Sequence, residues 1–416
     1  MQFLKKTVFA CSLFCCANVF SQDMNIPYSV YGIGDIDFRS YNRSSGMANT
    51  GLALRSSFYI IDNNPASITG LPRSFYTMNL STVGKSVQYK GDPINSTNAY
   101  NRDFWIKRIG ITVKLNNSWA SSAGMKQFSN INYKFSGTKT VDGSAETFVT
   151  RYEGDGSLNE YYWTNAFSFG KHLSFGLQSS IIAGSINQTE TLSDATFQTD
   201  ISTKRQDYLG QARFQAGVLY SVALNKKWDL SLGGKFIPKI KMVSERTVTV
   251  REGETVIVQD EFIKYDRFYL PTTYAFGIAL KKNKKNTYTF DYTYENWTPL
   301  NISGRGWQLA SSNRFSGGVE FSKQQWTGAQ YMEKKYFQVG AFYTNSYLRI
   351  RNTPINEYGI TVGTGGSLSR NLLYTLSGEL GRRGTTQNNL IKENYVQLSI
   401  GFSFSDYLFS KGRRYD

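Results

Sequence analysis

From about Ser74 to the C-terminal region, apolar and polar residues alternate with a period of two, and this pattern constrains the fold more than any other feature. Tyr288-Thr-Phe290-Asp-Tyr292-Thr-Tyr294-Glu295 places four aromatics on one face and polar groups on the other. Val396-Gln-Leu398-Ser-Ile400-Gly-Phe402-Ser-Phe404 repeats it, as do Leu173-Ser-Phe175-Gly-Leu177, Phe214-Gln-Ala216-Gly-Val218, Tyr274-Ala-Phe276-Gly-Ile278 and Phe337-Gln-Val339-Gly-Ala341. A period of two means β-strands with one apolar and one polar face. In a soluble sandwich the polar face is outside. In a membrane barrel the apolar residues face lipid, and Ser, Gly, Gln, Thr and Asp face the lumen.

Connection lengths favour the barrel. About 14 strands of roughly ten residues or more can be placed, as outer-membrane barrels require. Long connections are expected near 91–103, 137–157, 190–206, 250–261, 304–312 and 384–393. Short ones fall at Asn116-Asn117, Gly170-Lys171-His172, Asn225-Lys226-Lys227, Lys281 to Lys285 and Arg370-Asn371. This alternation matches extracellular loops and periplasmic turns. Ser322 to Lys334 breaks it, reading as a periplasmic insertion or a miscounted strand. Trp105, Trp119, Trp163, Trp228, Trp297, Trp307 and Trp326 fall mostly at strand ends, where an interfacial girdle sits.

Composition agrees. With 28 Tyr and 28 Phe in 416 residues, the chain has the aromatics that disordered chains lack. No apolar run reaches about 18 residues, which excludes a polytopic helical membrane protein. One His and three Cys leave little for a metal centre or a His-based catalytic engine, so an enzyme is not expected, nor any cofactor.

Residues 1–22 have the parts of a signal peptide: Lys5 and Lys6, then an apolar stretch from Thr7 to Phe20. Cys11, Cys15 and Cys16 all lie within it. Phe14 and Cys15 precede the last two cysteines where a lipidation site wants a small residue. Export argues against nucleic acid as the partner of a chain of formal charge +16.

Residues 23–73 do not alternate and carry Gly32, Gly34, Gly46, Gly51, Pro65 and Pro72. A barrel of about 14 strands has a wide lumen, and an irregular segment of this size suits a plug inside it. Gly46-Met-Ala48-Asn-Thr-Gly51-Leu-Ala53, followed by Asn64-Pro65-Ala66 and Leu71, resembles the N-terminal hatch of the FadL-like long-chain fatty acid transporters. Ser67 departs from the glycine usual after that motif, and Asp62-Asn63 from the usual approach to it.

The resemblance implies an all-β fold: a transmembrane antiparallel β-barrel with a hatch in its lumen, in the outer membrane of a Gram-negative bacterium. It implies passage of hydrophobic, fatty-acid-like molecules, hatch movement at Asn64-Pro65-Ala66, and a kink in the third strand that opens the wall sideways toward lipid. Gly124, Gln127, Phe128 and Ser129 are the candidate kink. FadL-like barrels also serve as non-transporting subunits of outer-membrane secretion and assembly machines. The expected partners are therefore outer-membrane lipid and either a hydrophobic small molecule or an outer-membrane or periplasmic protein. The domains expected are 1–22 signal peptide, 23–73 hatch, 74–405 barrel and 406–416 basic periplasmic tail.

Other motifs carry less chemistry. His172 reads as an exposed turn residue. Gly363-Thr-Gly365-Gly366 sits in strand sequence with no helix after it, unlike a phosphate loop. Gly154-Asp155-Gly156-Ser157 supplies one carboxylate, poor material for a calcium site. Arg39, Arg43, Arg55 and Arg73 either bind a fatty carboxylate or pair with lumen acids such as Asp291 and Glu295. Lys226, Lys227, Lys281, Lys282, Lys284, Lys285, Arg413 and Arg414, with Lys171 and Arg370, map to one basic periplasmic rim. It serves either solvation and anionic headgroups or an acidic partner.

Overall fold

The computed structural model describes residues 26–92, 94, 99–140, 147–193, 199–326, 331–369 and 371–408. Fourteen antiparallel strands form a closed barrel. They are β1 (Phe75–Lys90), β2 (Tyr100–Lys114), β3 (Trp119–Thr140), β4 (Thr147–Phe169), β5 (Leu173–Ser193) and β6 (Ile201–Ala223). Next come β7 (Trp228–Ile237 and Ile240–Glu252), β8 (Thr255–Leu270 and Thr272–Lys282), β9 (Asn286–Asn296) and β10 (Ser312–Trp326). The last are β11 (Tyr331–Asn345), β12 (Glu357–Ser367), β13 (Leu372–Gly384) and β14 (Lys392–Tyr407). Pro238 interrupts β7 and Pro271 interrupts β8, since proline has no N–H to give a ladder. β1 pairs with β14 from Phe75↔Tyr407 to Lys90↔Lys392, which closes the ring.

The two-residue period becomes two wall faces. On β6, Phe214, Val218 and Tyr220 point out and are exposed, while Gln215 and Leu219 point in and are buried. On β4, Tyr161, Trp163, Phe167 and Phe169 form the outward apolar band. Beyond it the outward positions of β4 turn polar: Asn159, Ser157, Asp155, Glu153 and Arg151. β3 to β6, of 22, 23, 21 and 23 residues, therefore run well past the band. The long connections expected at 137–157 and 190–206 are largely strand, and the one at 250–261 is a hairpin turning at Gly253-Glu254. Gly154 to Ser157 lie within β4, not in a loop.

Two further features depart from the sequence reading. The described part of Ser322 to Lys334, residues 322–326 and 331–334, is strand, neither an irregular insertion nor a miscount. It extends the β10–β11 hairpin, with a register shift between Lys323 and Gln324. The 346–356 connection, unflagged by periodicity, joins the one after β9 in a small sheet of Ser303–Gly304, Trp307–Leu309, Leu348–Ile350 and Thr353–Pro354.

Candidate functional site in the lumen

Residues 26–74 touch inward-facing positions of most of the wall, and so lie in the lumen. The seat is a band of glycines. A side chain at Gly176 or Gly217 would strike Asn64, Pro65 or Ala66; at Gly233 or Gly277, Leu52 or Ala53; at Gly318 or Gly340, Met47; and at Gly363, Gly46. Of Gly363-Thr-Gly365-Gly366, only Gly363 clears the wall for the inner chain; Gly365 leaves room for the Tyr336 ring, and Gly366 lies against the backbone of Lys334.

Local chemistry shapes the hatch to that seat. Asn64 begins a short 3-10 turn, Pro65–Gly70, its Oδ1 accepting from the Ala66 N–H at 3.0 Å. Proline is suited to the first position, where its missing donor costs nothing. The Asn64 Nδ2 donates to the Leu52 carbonyl at 2.9 Å and the Val218 carbonyl at 2.8 Å, tying hatch to wall. Gly46 lies in a second 3-10 turn, Arg43–Met47, capped by Asn42. Past it Ala48 and Asn49 take positive φ of 56° and 62°, and Thr361 Oγ1 bridges the turn, accepting from the Ala48 N–H and donating to the Gly46 carbonyl. The N–H groups of Gly51 and Leu52 donate to Asp291 Oδ2 at 2.7 and 3.0 Å.

Ion pairs fasten the same segment. Arg39 Nη2 reaches Glu357 at 2.6 Å and Glu379 at 2.7 Å, and donates to the Tyr395 hydroxyl at 2.9 Å. Arg43 grips Glu320 with Nε and Nη2 at 3.0 and 2.8 Å, between the rings of Tyr59 and Tyr336. Wall cations pair in the other direction: Lys107 with Asp37 at 3.0 Å, Arg108 with Asp62 at 3.0 Å and Arg383 with Asp35 at 2.8 Å. Buried pairs of this kind fix geometry, and breaking one leaves an uncompensated charge. Arg39 and Arg43 are therefore engaged with carboxylates, but not with the Asp291 and Glu295 expected. Glu295 accepts from Trp297 Nε1 at 3.0 Å. Arg73 is exposed.

The wall itself has a break. The β2–β3 ladder ends at Arg108↔Lys126, beyond which β3 pairs with the hatch: Asp35↔Asn130 and Ile36↔Ser129. Register against β4 slips between Gln127 and Ser129, with Phe128 buried between them. Gly124 lies below the break, still paired with Gly110. Asp37 N–H donates to the Phe128 carbonyl, and Ser129 Oγ to the Ile33 carbonyl, so hatch backbone occupies the gap.

Toward the long-loop end the lumen closes by a different means. Trp297, Leu309, Tyr347, Leu348, Ile350 and Ile355 pack with Ile131, Leu158, Ile182, Leu209 and Met242 of the tall strands and with Tyr28, Ile33 and Ile36 of the hatch. Trp297 stacks on Tyr347 with ring centroids 5.0 Å apart. Trp297 and Trp307 therefore build a cap and not a girdle; the Trp326 side chain lies outside the described residues. Trp119 packs on Phe167 and Trp228 on Tyr288 near the short-turn end.

Between cap and hatch remains a cavity of about 150 Å³. Lys126, Glu160, Arg213, Lys235, Asp291 and Glu295 line it, beside Phe38, Phe128 and Trp297. Charged and apolar side chains thus share its lining. No group of three metal-ligating side chains occurs among the described residues.

At the short-turn end, Lys226 and Lys227 lie in the β6–β7 turn, and Lys284 and Lys285 in or beside the β8–β9 turn. The two turns touch, the Asn283 N–H donating to the Lys227 carbonyl at 2.7 Å. Lys282 lies 5.3 Å from the centre of the Trp228 ring. Lys281 faces a second cavity, with His172 and Lys171. Arg370, Arg413 and Arg414 fall outside the described residues, as does the 1–22 segment. Periodicity missed the cap, the wall cations Lys107, Arg108 and Arg383, and the acids Glu320, Glu357 and Glu379. Those acids carry a signal in retrospect, since each falls at a lumen-facing position of an alternating strand.

Solved structures share this fold. A Pseudomonas aeruginosa FadL homologue matches at 12% identity and a TM-score of 0.60, over 90% of this chain and 100% of that one. The Pseudomonas putida toluene transporter TodX matches at 14% and 0.58, over 90% and 100%. The Ralstonia pickettii toluene transporter TbuX matches at 13% and 0.55, over 87% and 97%. Identities this low speak for the fold alone. No curated protein matches the sequence. A family model does, over residues 3–416, and its description is not FadL but BamG. The chain has the FadL-like barrel fold and belongs to the BamG family.

Proposed function

We propose that this chain is a non-transporting barrel of a Gram-negative outer membrane, retained as a structural and docking subunit of a larger outer-membrane protein assembly. The lumen carries this reading. A channel for hydrophobic molecules needs an apolar route, whereas here an apolar cap lies across one end, an ion-paired hatch fills the middle, and charged side chains interrupt the apolar lining of the cavity between them. Membership of a family separate from the transporters it resembles in fold points the same way. The short-turn end is then periplasmic, and its basic rim faces the partners. The test is purification of the native protein in mild detergent. Recovery with stoichiometric partner proteins is expected; recovery as a lone monomer overturns the reading.

One observation favours a second reading, uptake of a fatty-acid-like molecule. The ladder between β2 and β3 breaks beside the expected kink; on this reading that break would open the wall toward lipid, and the hatch would move at Asn64-Pro65-Ala66. Mass spectrometry of lipids retained by the native protein separates the two. A stoichiometric apolar ligand supports uptake, and its absence supports the docking subunit.

A further inference from the structure

A cavity of about 320 Å³ opens at the short-turn end, under the hatch. The hatch segment Ala53 to Arg55 forms one side, and inward positions of β6, β7, β8 and β9 form the other. Arg55, Lys171 and Lys281 line it against one carboxylate, Asp229, with His172 beside them. Arg55 is held in place by backbone: its Nη2 donates to the carbonyls of His172 at 3.3 Å and Leu219 at 3.5 Å. Its Nε is shut from solvent and has no hydrogen-bond partner.

Arg55 thus differs from Arg39 and Arg43, which reach wall carboxylates. It is a positioned guanidinium with no acid in reach, at the rim of a hollow that carries two lysines. With Nη2 bonded to the backbone and Nε sealed, Arg55 would meet a carboxylate through Nη1, in a charge-assisted hydrogen bond. The hollow also faces away from lipid. On the lining strands the outward positions are Tyr220, Leu232 and Tyr288, across the wall from it. A membrane headgroup therefore does not reach the hollow, but a chain arriving from the lumen mouth does.

We propose that this cavity receives a carboxylate borne on an acidic peptide segment of a partner at the short-turn side. The proposal rests on the docking-subunit reading and gives it a contact point: Arg55 binds the carboxylate, and Lys171 and Lys281 set the field that draws it in. Such attraction weakens as salt rises.

The experiment uses the full chain in detergent, with a fluorescent oligoglutamate peptide as probe and oligoglutamine as its uncharged control. Oligoglutamate binds, oligoglutamine does not, and the affinity falls with salt. The double variant Arg55→Gln, Lys171→Gln weakens binding by at least about tenfold. Lys204→Gln, at the far end of β6, leaves it unchanged, and an unaltered heat-modifiable gel shift shows that each variant is folded. Equal binding by the folded double variant overturns the proposal, as does no binding by the unaltered protein. Displacement by inorganic phosphate as readily as by free oligoglutamate, at fixed ionic strength, overturns the peptide assignment in favour of a simple anion site. The two readings fail separately. Purification of the unaltered protein alone sinks the docking subunit. Retention of its partners by the double variant sinks only this cavity's role.

Discussion

The cap at the long-loop end of the lumen and the hatch below it close the barrel by opposite chemistry. Toward the long loops, Trp297, Tyr347, Leu348, Ile350 and Ile355 pack against tall strands as they would in a soluble core. Below that cap, closure is by buried ion pairs and, nearer the short turns, by backbone seated on glycines. An apolar core tolerates small shifts, because its attraction is spread over area and has no direction. Buried ion pairs do not, since a displaced carboxylate loses its compensation at once. The difference teaches that the cap is built to exclude and the hatch below it to hold register. Both closures share the hatch segment, because Tyr28, Ile33 and Ile36 belong to the cap while Arg39 and Arg43 belong to the latch.

The largest expected effect follows from that sharing. Deleting residues 26–73 undoes cap and latch together, so the variant conducts ions in planar bilayers while the unaltered protein is silent. A folded, silent deletion variant would show that the outer loops close the pore without help. Next is Arg39→Ala, which strands Glu357 and Glu379 and costs about 3–5 kcal/mol in denaturant titration. Adding Glu379→Gln recovers part of that loss, whereas a purely steric role for Arg39 predicts no recovery. Leu348→Ala acts on the cap alone, costing about 2–5 kcal/mol. It speeds proteolysis of the 346–356 connection and leaves the pore closed, so conductance in this variant would contradict the division between the two closures. Smallest is Tyr28→Phe, which removes the hydroxyl donated to the Ile391 carbonyl. Its cost is about 0.5–1.5 kcal/mol, read as a modest shift in the denaturation midpoint.

What alternation revealed and what it hid have one cause. Where strands cross the apolar band, outward residues such as Tyr161, Phe167 and Phe175 mark every second position, and the ring of strands is legible. Where β4 rises past the band, outward Asp155, Glu153 and Arg151 remove the contrast, and strand reads as loop. The cap was hidden for a related reason: its residues come from irregular connections with no period, so Leu309 and Ile355 look like ordinary loop hydrophobics. Asn64-Pro65-Ala66 was legible through its resemblance to the FadL-like hatch, and the turn it starts has an Asn cap and a proline in the first position. The partners of Arg39 were not, since Glu357 and Glu379 lie more than three hundred residues along the chain.

The pairing of Phe75 with Tyr407 has a consequence for the order of events. The plug leaves the biosynthetic machinery before any strand, yet its cage is complete only when the final strand finds the first. Contacts this distant in sequence are slow to form. A segment seated against strands on most sides of the ring has no open side once that seam is shut, since its own backbone fills the break between β2 and β3. The barrel must therefore assemble around its occupant, and a chain stopped short of β14 would leave the plug in a trough without a closing wall.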